Sequence, residues 1–363
     1  MRRAIELAEG GRGSVSPNPL VGAVIVRGDE ILGSGYHAEY GGIHAEVAAL
    51  EAAAANGKDV TGATMYVSLE PCAHHGKQPP CADAIIKAGI GRVVIGCDDP
   101  SGKTAGIGPR RLEEAGIKVD FASGDLATMA KQLIQPFRKY ARTGRPLVTL
   151  KAAMSLDGKI STATGDSRWI SGDRSRLTVH QWRAEAGAIA IGIGTALADD
   201  PLLTARNVNA TRQPIRVIFD PHARLPIESR LVKSIDEAPL LLVAGAGAPP
   251  EKIEALREAG VEVLNPRAGR DERLALTLDH LGRRNVNWMI LEGGSTLAGA
   301  FIANRLVDEL RLFFAPILIG GETAPGFATW KGVEYVAEAQ RASGLEWAPS
   351  GEDLYVHARL QEW

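Results

Sequence analysis

The sequence predicts two consecutive α/β domains, and three observations carry that prediction. The chain has 363 residues, more than one domain usually holds. Strand and helix patterns alternate through both halves with short connections, as expected for sheets covered by helices. Near residues 140–146, where Gly144 and Pro146 fall, the periodicity breaks. The expected domains are therefore residues 1–142 and 146–363.

In the first domain, residues 4–9 read as the end of an opening helix. Residues 21–26 are a buried strand, Gly28 and Asp29 lie in a hairpin turn, and residues 31–36 form the return strand. Residues 45–55 are alanine-rich and helical, stopped by Gly57. Residues 64–69 and 92–96 are strands, with a short helix over 82–87 ended by Gly89. A helix over 110–115 and a strand over 117–121 complete this domain. The second domain opens with a strand over 147–153, followed by strands over 188–193, 215–220, 240–244, 261–264, 288–292 and 309–316. Helices over 174–184, 250–259 and 296–303 fall between them, implying a mostly parallel sheet covered on both faces.

Composition excludes several function classes. The chain is 45% apolar and 23% charged, ordinary for a globular protein. A net charge of −2 offers no basic excess for nucleic acid, and 5% aromatic residues leave few stacking platforms. The longest apolar run, residues 239–247, is too short to span a bilayer. The N-terminus has charge in Arg2 and Arg3, but Glu6 and Glu9 interrupt any signal-peptide run. A cytoplasmic protein with neither nucleic-acid nor membrane partners is expected. Three cysteines, two of them in a metal-like motif, do not make a disulfide framework.

The most informative feature is His44-Ala45-Glu46, followed by Pro71-Cys72 and then Cys81. One imidazole and two thiols match the three protein ligands of a catalytic zinc, which keeps its fourth position for water. A neutral imidazole and two thiolates cancel the charge of Zn²⁺, and Glu46 beside them can move protons. The pattern is the H-x-E and P-C-x-x-C signature of zinc deaminases, with the second half stretched to eight intervening residues. Isolated, these residues would read as buried small hydrophobes and a core histidine. His74 and His75 are alternative ligands, but the stiff Pro79-Pro80 approach favours Cys81. The two histidines and Lys77 are then expected to line the substrate pocket. Cys97 reads as a buried thiol. Asn18, held between Pro17 and Pro19, is either a turn residue or an amide placed to pair with a heterocycle.

In the second half, a strand ends at Glu292, Gly293-Gly294 turn the chain, and a helix begins at Ser295-Thr296. Free N–H groups at such a helix start suit phosphate. The pattern is not G-x-G-x-x-G, so a dinucleotide-binding fold of that type is not supported. Arg183 and Arg206 could clamp a phosphate, or lie on a solvated face.

The stretches Pro17-Asn18-Pro19-Leu20-Val21-Gly22, His44-Ala45-Glu46, and Leu69 to Lys77 through Pro79-Pro80-Cys81 resemble the deaminase half of the bifunctional RibD family of riboflavin biosynthesis. Gln78 stands where threonine is expected. The segments around Lys151 to Lys159, Gly165 to Ile170, Gly194-Thr195, Ala198 to Pro201, and Leu291 to Thr296 resemble the reductase half of that family. The resemblance covers nearly the whole chain in the family's order. It implies a cytidine-deaminase-like α/β/α sandwich followed by a dihydrofolate-reductase-like α/β domain.

The implied chemistry is zinc-dependent deamination of 2,5-diamino-6-ribosylamino-4(3H)-pyrimidinone 5′-phosphate at C2, then NADPH reduction of the ribosyl to the ribityl chain. The resemblance implies that His44, Cys72 and Cys81 hold zinc, that Glu46 is the acid–base residue, and that Asn18 contacts substrate. Carried over by position, Ala153, Trp169, Thr195, Asp199, Gly294, Ser295, Thr296, Leu297, Ala298, Gly299 and Ala300 would contact NADPH. Ser167, Arg183, Leu203, Arg206 and Glu292 would contact the sugar-phosphate substrate, and Asp199 doubles as the candidate proton relay. Cofactor contacts just after Asp220 are left open, because the family varies in loop length over residues 207–213. No 2′-phosphate clamp stands out, so the preference for NADPH over NADH comes from the resemblance, as does homo-oligomeric association. Two rivals stand beside this reading: a nucleoside or tRNA deaminase joined to an unrelated reductase, and a structural zinc module closed by His74 or His75.

Overall fold

The computed structural model describes residues 1–363 apart from Lys77 and Lys103. The chain divides into two compact units, Met1–Gly144 together with Trp363, and Arg145–Glu362.

The first unit runs α1 (Arg2–Ala8), β1 (Gly22–Arg27), β2 (Glu30–Tyr36), α2 (Ala45–Ala55), β3 (Thr64–Val67), α3 (Cys81–Lys87), β4 (Arg92–Ile95), α4 (Ile107–Glu114), β5 (Lys118–Phe121), α5 (Gly124–Leu133) and α6 (Gln135–Thr143). Its five strands are ordered β2-β1-β3-β4-β5, antiparallel where β1 meets β2 and β3, and parallel beyond. One face buries Ile25, Met65, Val67, Ile85, Val93, Ile95 and Leu112 under α2, α3 and α4. On the other face Ile5 of α1, Leu69, Cys97, Ala130 of α5 and Ile134 form a second cluster, making three layers.

Small residues seat α2 unusually close to β2. A Cβ on Gly33 would stand 2.3 Å from the Ala49 carbonyl oxygen, and one on Gly35 2.5 Å from the Ala48 Cβ. The alanine-rich face of α2 and the two glycines of β2 thus bring the helix start, with His44 and Glu46, down against the sheet.

The second unit runs β6 (Leu147–Ser155), α7 (Asp173–Glu185), β7 (Ala188–Gly192), α8 (Ile193–Asp199), β8 (Ile215–Phe219), α9 (Arg230–Lys233), β9 (Leu240–Val243), α10 (Pro250–Glu258), β10 (Glu262–Leu264), α11 (Arg270–Arg283), β11 (Trp288–Glu292), α12 (Ser295–Ala303), β12 (Glu309–Ala315), β13 (Ser343–Ser350) and β14 (Asp353–Arg359). Its nine strands are ordered β10-β9-β8-β7-β11-β6-β12-β14-β13. All neighbours from β10 to β12 are parallel, and β14 and β13 add an antiparallel edge. One core packs Leu274, Leu278 and Leu281 of α11 and Phe301 of α12 on Val217, Leu241, Met289 and Leu291. The opposite face packs Ile189, Ile191, Ile218 and Leu242 against Leu231, Ile253 and Leu256.

Sequence patterning located every strand up to β12 to within a few residues. It missed α5, α6, α8, α9, α11, β13 and β14. Strand β13 alternates nothing with solvent, since nearly all its residues are exposed. The apolar run at 239–247 is the buried strand β9 and its following loop. Among the described residues, no helix is long and apolar enough to cross a membrane.

Candidate functional site

Two helix starts build the first site. His44 is the N-cap of α2, with extended backbone (φ −80°, ψ 161°), and Glu46 lies in the first turn. Cys81 opens α3 after Pro80, and its backbone N–H points at Cys72 Sγ, 3.4 Å away. His44 Nδ1 stands 3.2 Å from Cys81 Sγ and 3.6 Å from Cys72 Sγ. The three donor atoms lie within 4.8 Å of one another. A tetrahedral zinc with ordinary Zn–N and Zn–S bonds sets the N···S separation at about 3.6 Å, so this triad fits the ion.

The electrostatics agree with a metal cradle. Cys72 is held well below the usual thiol range, first by the Cys81 hydrogen bond and then by His44. Cys81, sharing the proton, is pushed up. Glu46 is 3% exposed, and burial followed by the Cys72 charge raises it to about 7. It stands outside the three-donor cluster.

The triad opens on a cavity of about 280 Å³ lined by Asn18, His37, Tyr40, Glu46, His74 and Gln78, among others. Neither His74 nor His75 joins the donor cluster, and both are exposed. His74 lines the cavity, as expected, whereas His75 is not among the lining residues. Lys77 lies outside the described residues. Gln78 donates its side-chain N–H to the Gly41 carbonyl at 3.0 Å, tying the spacer between the cysteines to the loop before His44. Cys97 is buried, with Sγ 3.4 Å from the Ser68 carbonyl, and burial pushes it up to about 12.

His37 is the residue that sequence reasoning missed here. It is 2% exposed, and its Nδ1 lies 2.9 Å from the Ile43 carbonyl, which can only accept. Nδ1 therefore carries the proton, and Nε2 is the acceptor for Asn18 Nδ2 at 3.0 Å. Burial lowers the His37 pKa, which favours this neutral tautomer. The amide of Asn18 is thus oriented, and its oxygen is left for a ligand in the cavity. Nothing in the spacing of His37 marks this role.

The second site lies at the carboxyl ends of the parallel strands in the second unit. Arg183, in the last turn of α7, is half-buried and binds Glu292 through two bonds, Nε–Oε1 2.9 Å and Nη2–Oε2 2.7 Å. It does not lie on a solvated face. Burial opposes ionisation of Glu292, but Arg183 and Lys151 outweigh it and lower its pKa. Lys151 is opposite Glu292 in the register of β6 and β11, and burial lowers its pKa against the pull of Glu292. Burial, then Arg183 and Arg206, push His180 down to about 4. Its Nδ1 accepts the Arg206 N–H at 3.2 Å, and Arg206 Nη1 donates to Thr204 Oγ1. Lys151 and Arg183 thus set two cations against one carboxylate, with the neutral His180 and Arg206 beside them. Lys151 and His180 were not singled out from the sequence, because nothing in their spacing separates them from ordinary strand and helix residues.

The glycine turn is built as a cradle. Gly293 and Gly294 have φ of 65° and 81°, and a Cβ on either would stand 3.2 Å from the Thr195 side chain. Thr195, on α8, therefore sits against the turn, and the first N–H groups of α12 face the same opening. The run from Gly294 to Ala300 divides here. Gly294, Ser295, Thr296 and Leu297 are accessible at the turn, whereas Ala298, Gly299 and Ala300 are buried. Ala298 and Ala300 belong to the core, and a Cβ on Gly299 would stand 1.9 Å from the Thr329 carbonyl oxygen. The last three are packed into the interior.

Asp199 ends α8 with Arg168 Nη2 3.8 Å from its carboxylate. Trp169 is 73% exposed, with the Arg176 guanidinium 4.7 Å from its ring centre. Ser167 is half-buried in the loop before α7, and Ala153 is half-buried on β6. Leu203 turns its side chain into the core at φ 55°, so only its backbone faces outward.

Comparison with known proteins places both halves. Residues 1–97 match the cytidine and deoxycytidylate deaminase zinc-binding region, and residues 146–343 match the RibD C-terminal domain. The riboflavin biosynthesis protein RibD of Bacillus amyloliquefaciens is 41% identical over 358 residues, covering 99% of this chain and 95% of that protein. RibD of Acinetobacter baumannii superposes with a TM-score of 0.84 at 36% identity, covering 99% of this chain and 97% of that one. The Thermotoga maritima diaminohydroxyphosphoribosylaminopyrimidine deaminase/5-amino-6-(5-phosphoribosylamino)uracil reductase gives 0.83 at 35% identity, with the same coverage. With a zinc-fitting triad in one unit, a glycine cradle in the other and relatives matching across both, this chain belongs to the RibD family of bifunctional riboflavin-biosynthesis enzymes.

Proposed function

We propose that this chain performs two consecutive reactions, with residues 1–142 as the deaminase and residues 146–363 as the reductase. The chain is a bifunctional deaminase and reductase of riboflavin biosynthesis, with zinc and NADPH as its cofactors. The observation that carries the deaminase reading is the convergence of His44, Cys72 and Cys81 beside a buried, unligated Glu46. A closed structural zinc site would need a fourth protein donor, and among the described residues none joins the three.

When bound, zinc acidifies water and so supplies a nucleophile at neutral pH. Glu46 takes the proton released in attack on C2 of the pyrimidinone. It returns that proton to the ring nitrogen, then takes the remaining proton of the added hydroxyl and passes it to the amino group, which departs as ammonia, so the residue acts as base and acid twice in turn. Asn18 orients the heterocycle, and His37 holds Asn18. In the reductase, NADPH supplies hydride to C1′ of the ribosyl group. Gly294, Ser295, Thr296, Leu297 and Thr195 hold the cofactor at the glycine turn, with Ala153, Trp169 and Asp199 along its path. Arg183 and Arg206 face the substrate phosphate, and Ser167, the Leu203 backbone and Glu292 contact the rest of the sugar-phosphate substrate. Asp199 is the candidate proton relay. A cytoplasmic homo-oligomer acting on small pyrimidine ribosyl phosphates completes the reading, and both location and association are carried by the family resemblance.

Tracing the hydride tests the reductase half. With the deaminated substrate and NADPH deuterated at the transferring face of nicotinamide C4, one deuterium is expected at C1′ of the ribityl product by NMR. A product with no deuterium at C1′ would contradict this assignment.

A further inference from the structure

Two residues that line the deaminase cavity, Phe137 of α6 and Asp99 after β4, are held from outside it. Phe137 precedes Arg138 in the chain, and Asp99 follows Asp98. Arg138 is 3% exposed and joins the two segments. Its Nη1 donates to the Asp98 carbonyl at 3.0 Å and to Asp98 Oδ1 at 3.2 Å, and its Nη2 donates to Oδ2 at 3.4 Å. Burial opposes ionisation of Asp98, but the Arg138 bonds outweigh it and lower its pKa. The remaining donor, Nε, goes to the Trp363 carbonyl at 2.5 Å.

Trp363 belongs to the first compact unit, although it lies 225 residues beyond Arg138. Its N–H donates to Gln135 Oε1 at 2.9 Å, and its carbonyl accepts from Gln135 Nε2 at 3.1 Å. Lys139 Nζ stands 5.3 Å from the centre of its ring. Trp363 thus grips Gln135, Arg138 and Lys139, all of them buried, on either side of Phe137 along α6. Burying such polar groups is costly unless every donor finds its acceptor, so the arrangement tolerates little movement. A planar guanidinium fork also fixes its partners in direction as well as distance. The Asp99 carboxylate is engaged in its own loop, accepting the Ser101 N–H at 2.8 Å and the Thr104 hydroxyl at 2.7 Å. The place of that loop in the cavity wall therefore follows Asp98.

We infer that Arg138 and Trp363 are positioning residues for the deaminase reaction: they fix the cavity wall made by Phe137 and Asp99, and with it the fit of the pyrimidine substrate. This rests on the deaminase reading above. Neither residue is a zinc donor or lines the cavity, so both act on substrate fit through their neighbours. Glu70, two residues before Cys72, is held separately by the Gly106 N–H at 2.7 Å, which keeps the metal ligand placed when Arg138 is lost.

The test is steady-state ammonia release by the full chain over a range of concentrations of the diamino-pyrimidinone phosphate, with zinc measured in each preparation. Arg138→Met, which keeps the apolar stem, is expected to raise KM about 10-fold. Its kcat and zinc content should stay those of the unaltered chain, the signature of lost substrate fit. Deletion of Trp363 should raise KM in the same way to a smaller degree. Asp98→Ala, at a half-exposed side chain, should also raise KM, and these two variants decide the matter if Arg138→Met does not fold. An unchanged KM in the folded, zinc-loaded variants would overturn the inference. So would a joint loss of zinc and kcat, which marks a purely structural role. An unaltered chain that holds zinc and releases no ammonia would instead sink the deaminase reading, and this inference with it.

Discussion

Replacing Glu46 with glutamine is expected to leave zinc in place and to slow ammonia release by about 10²- to 10⁴-fold, the range for loss of a general acid–base group. The side chain is 3% exposed and lies in the first turn of α2, two residues after His44. It is not among the three converging donors, so its removal does not change the ligand set. Glutamine keeps the volume and can still hydrogen-bond, but cannot accept and return a proton. Metal analysis and ammonia release on the same preparation check the two halves of this expectation. Loss of zinc along with activity would make Glu46 a ligand or a structural support, and full activity would remove it from the chemistry.

Cys81→Ser is expected to have a still larger effect on the same step and to spare the other one. The thiol is fully buried, opens α3, and stands 3.2 Å from His44 Nδ1. Serine offers a poor ligand at neutral pH, so the variant should purify with little zinc and release no measurable ammonia. Because the second site lies in a separate compact unit, NADPH oxidation should persist when the deaminated intermediate is supplied directly. Spectrophotometry at the NADPH band checks this. Loss of both activities would show that the zinc centre also maintains the reductase.

The zinc triad was legible in the sequence because its ligands are set by spacing and by chemistry that few other residue types can perform. The helix over Ala45–Ala55 was equally legible, since its alanines and the stopping glycine act locally. His37 was not legible. Its role depends on a carbonyl six residues away and on Asn18 nineteen residues before, contacts that only the hairpin of β1 and β2 brings together. In the second unit, Arg183 and Glu292 were picked out singly, but their mutual pairing spans 109 residues and needed the sheet. Position alone carried the run to Ala300, and only the folded helix shows that Ala298, Gly299 and Ala300 are buried while Gly294 to Leu297 are accessible. Helix α11 was missed, its leucines being read against a charged background of arginines and acids. Strand β13 escaped because nearly all its residues are exposed, and β14 because its burial does not alternate along the strand.

The central claim is that one chain deaminates and then reduces the same pyrimidine. Its most direct test is to supply purified protein with 2,5-diamino-6-ribosylamino-4(3H)-pyrimidinone 5′-phosphate and NADPH, and to follow ammonia, NADPH and zinc in one sample. Ammonia release preceding an equal consumption of NADPH, with about one zinc per chain, is the predicted result. Zinc-loaded protein that releases no ammonia would contradict the account.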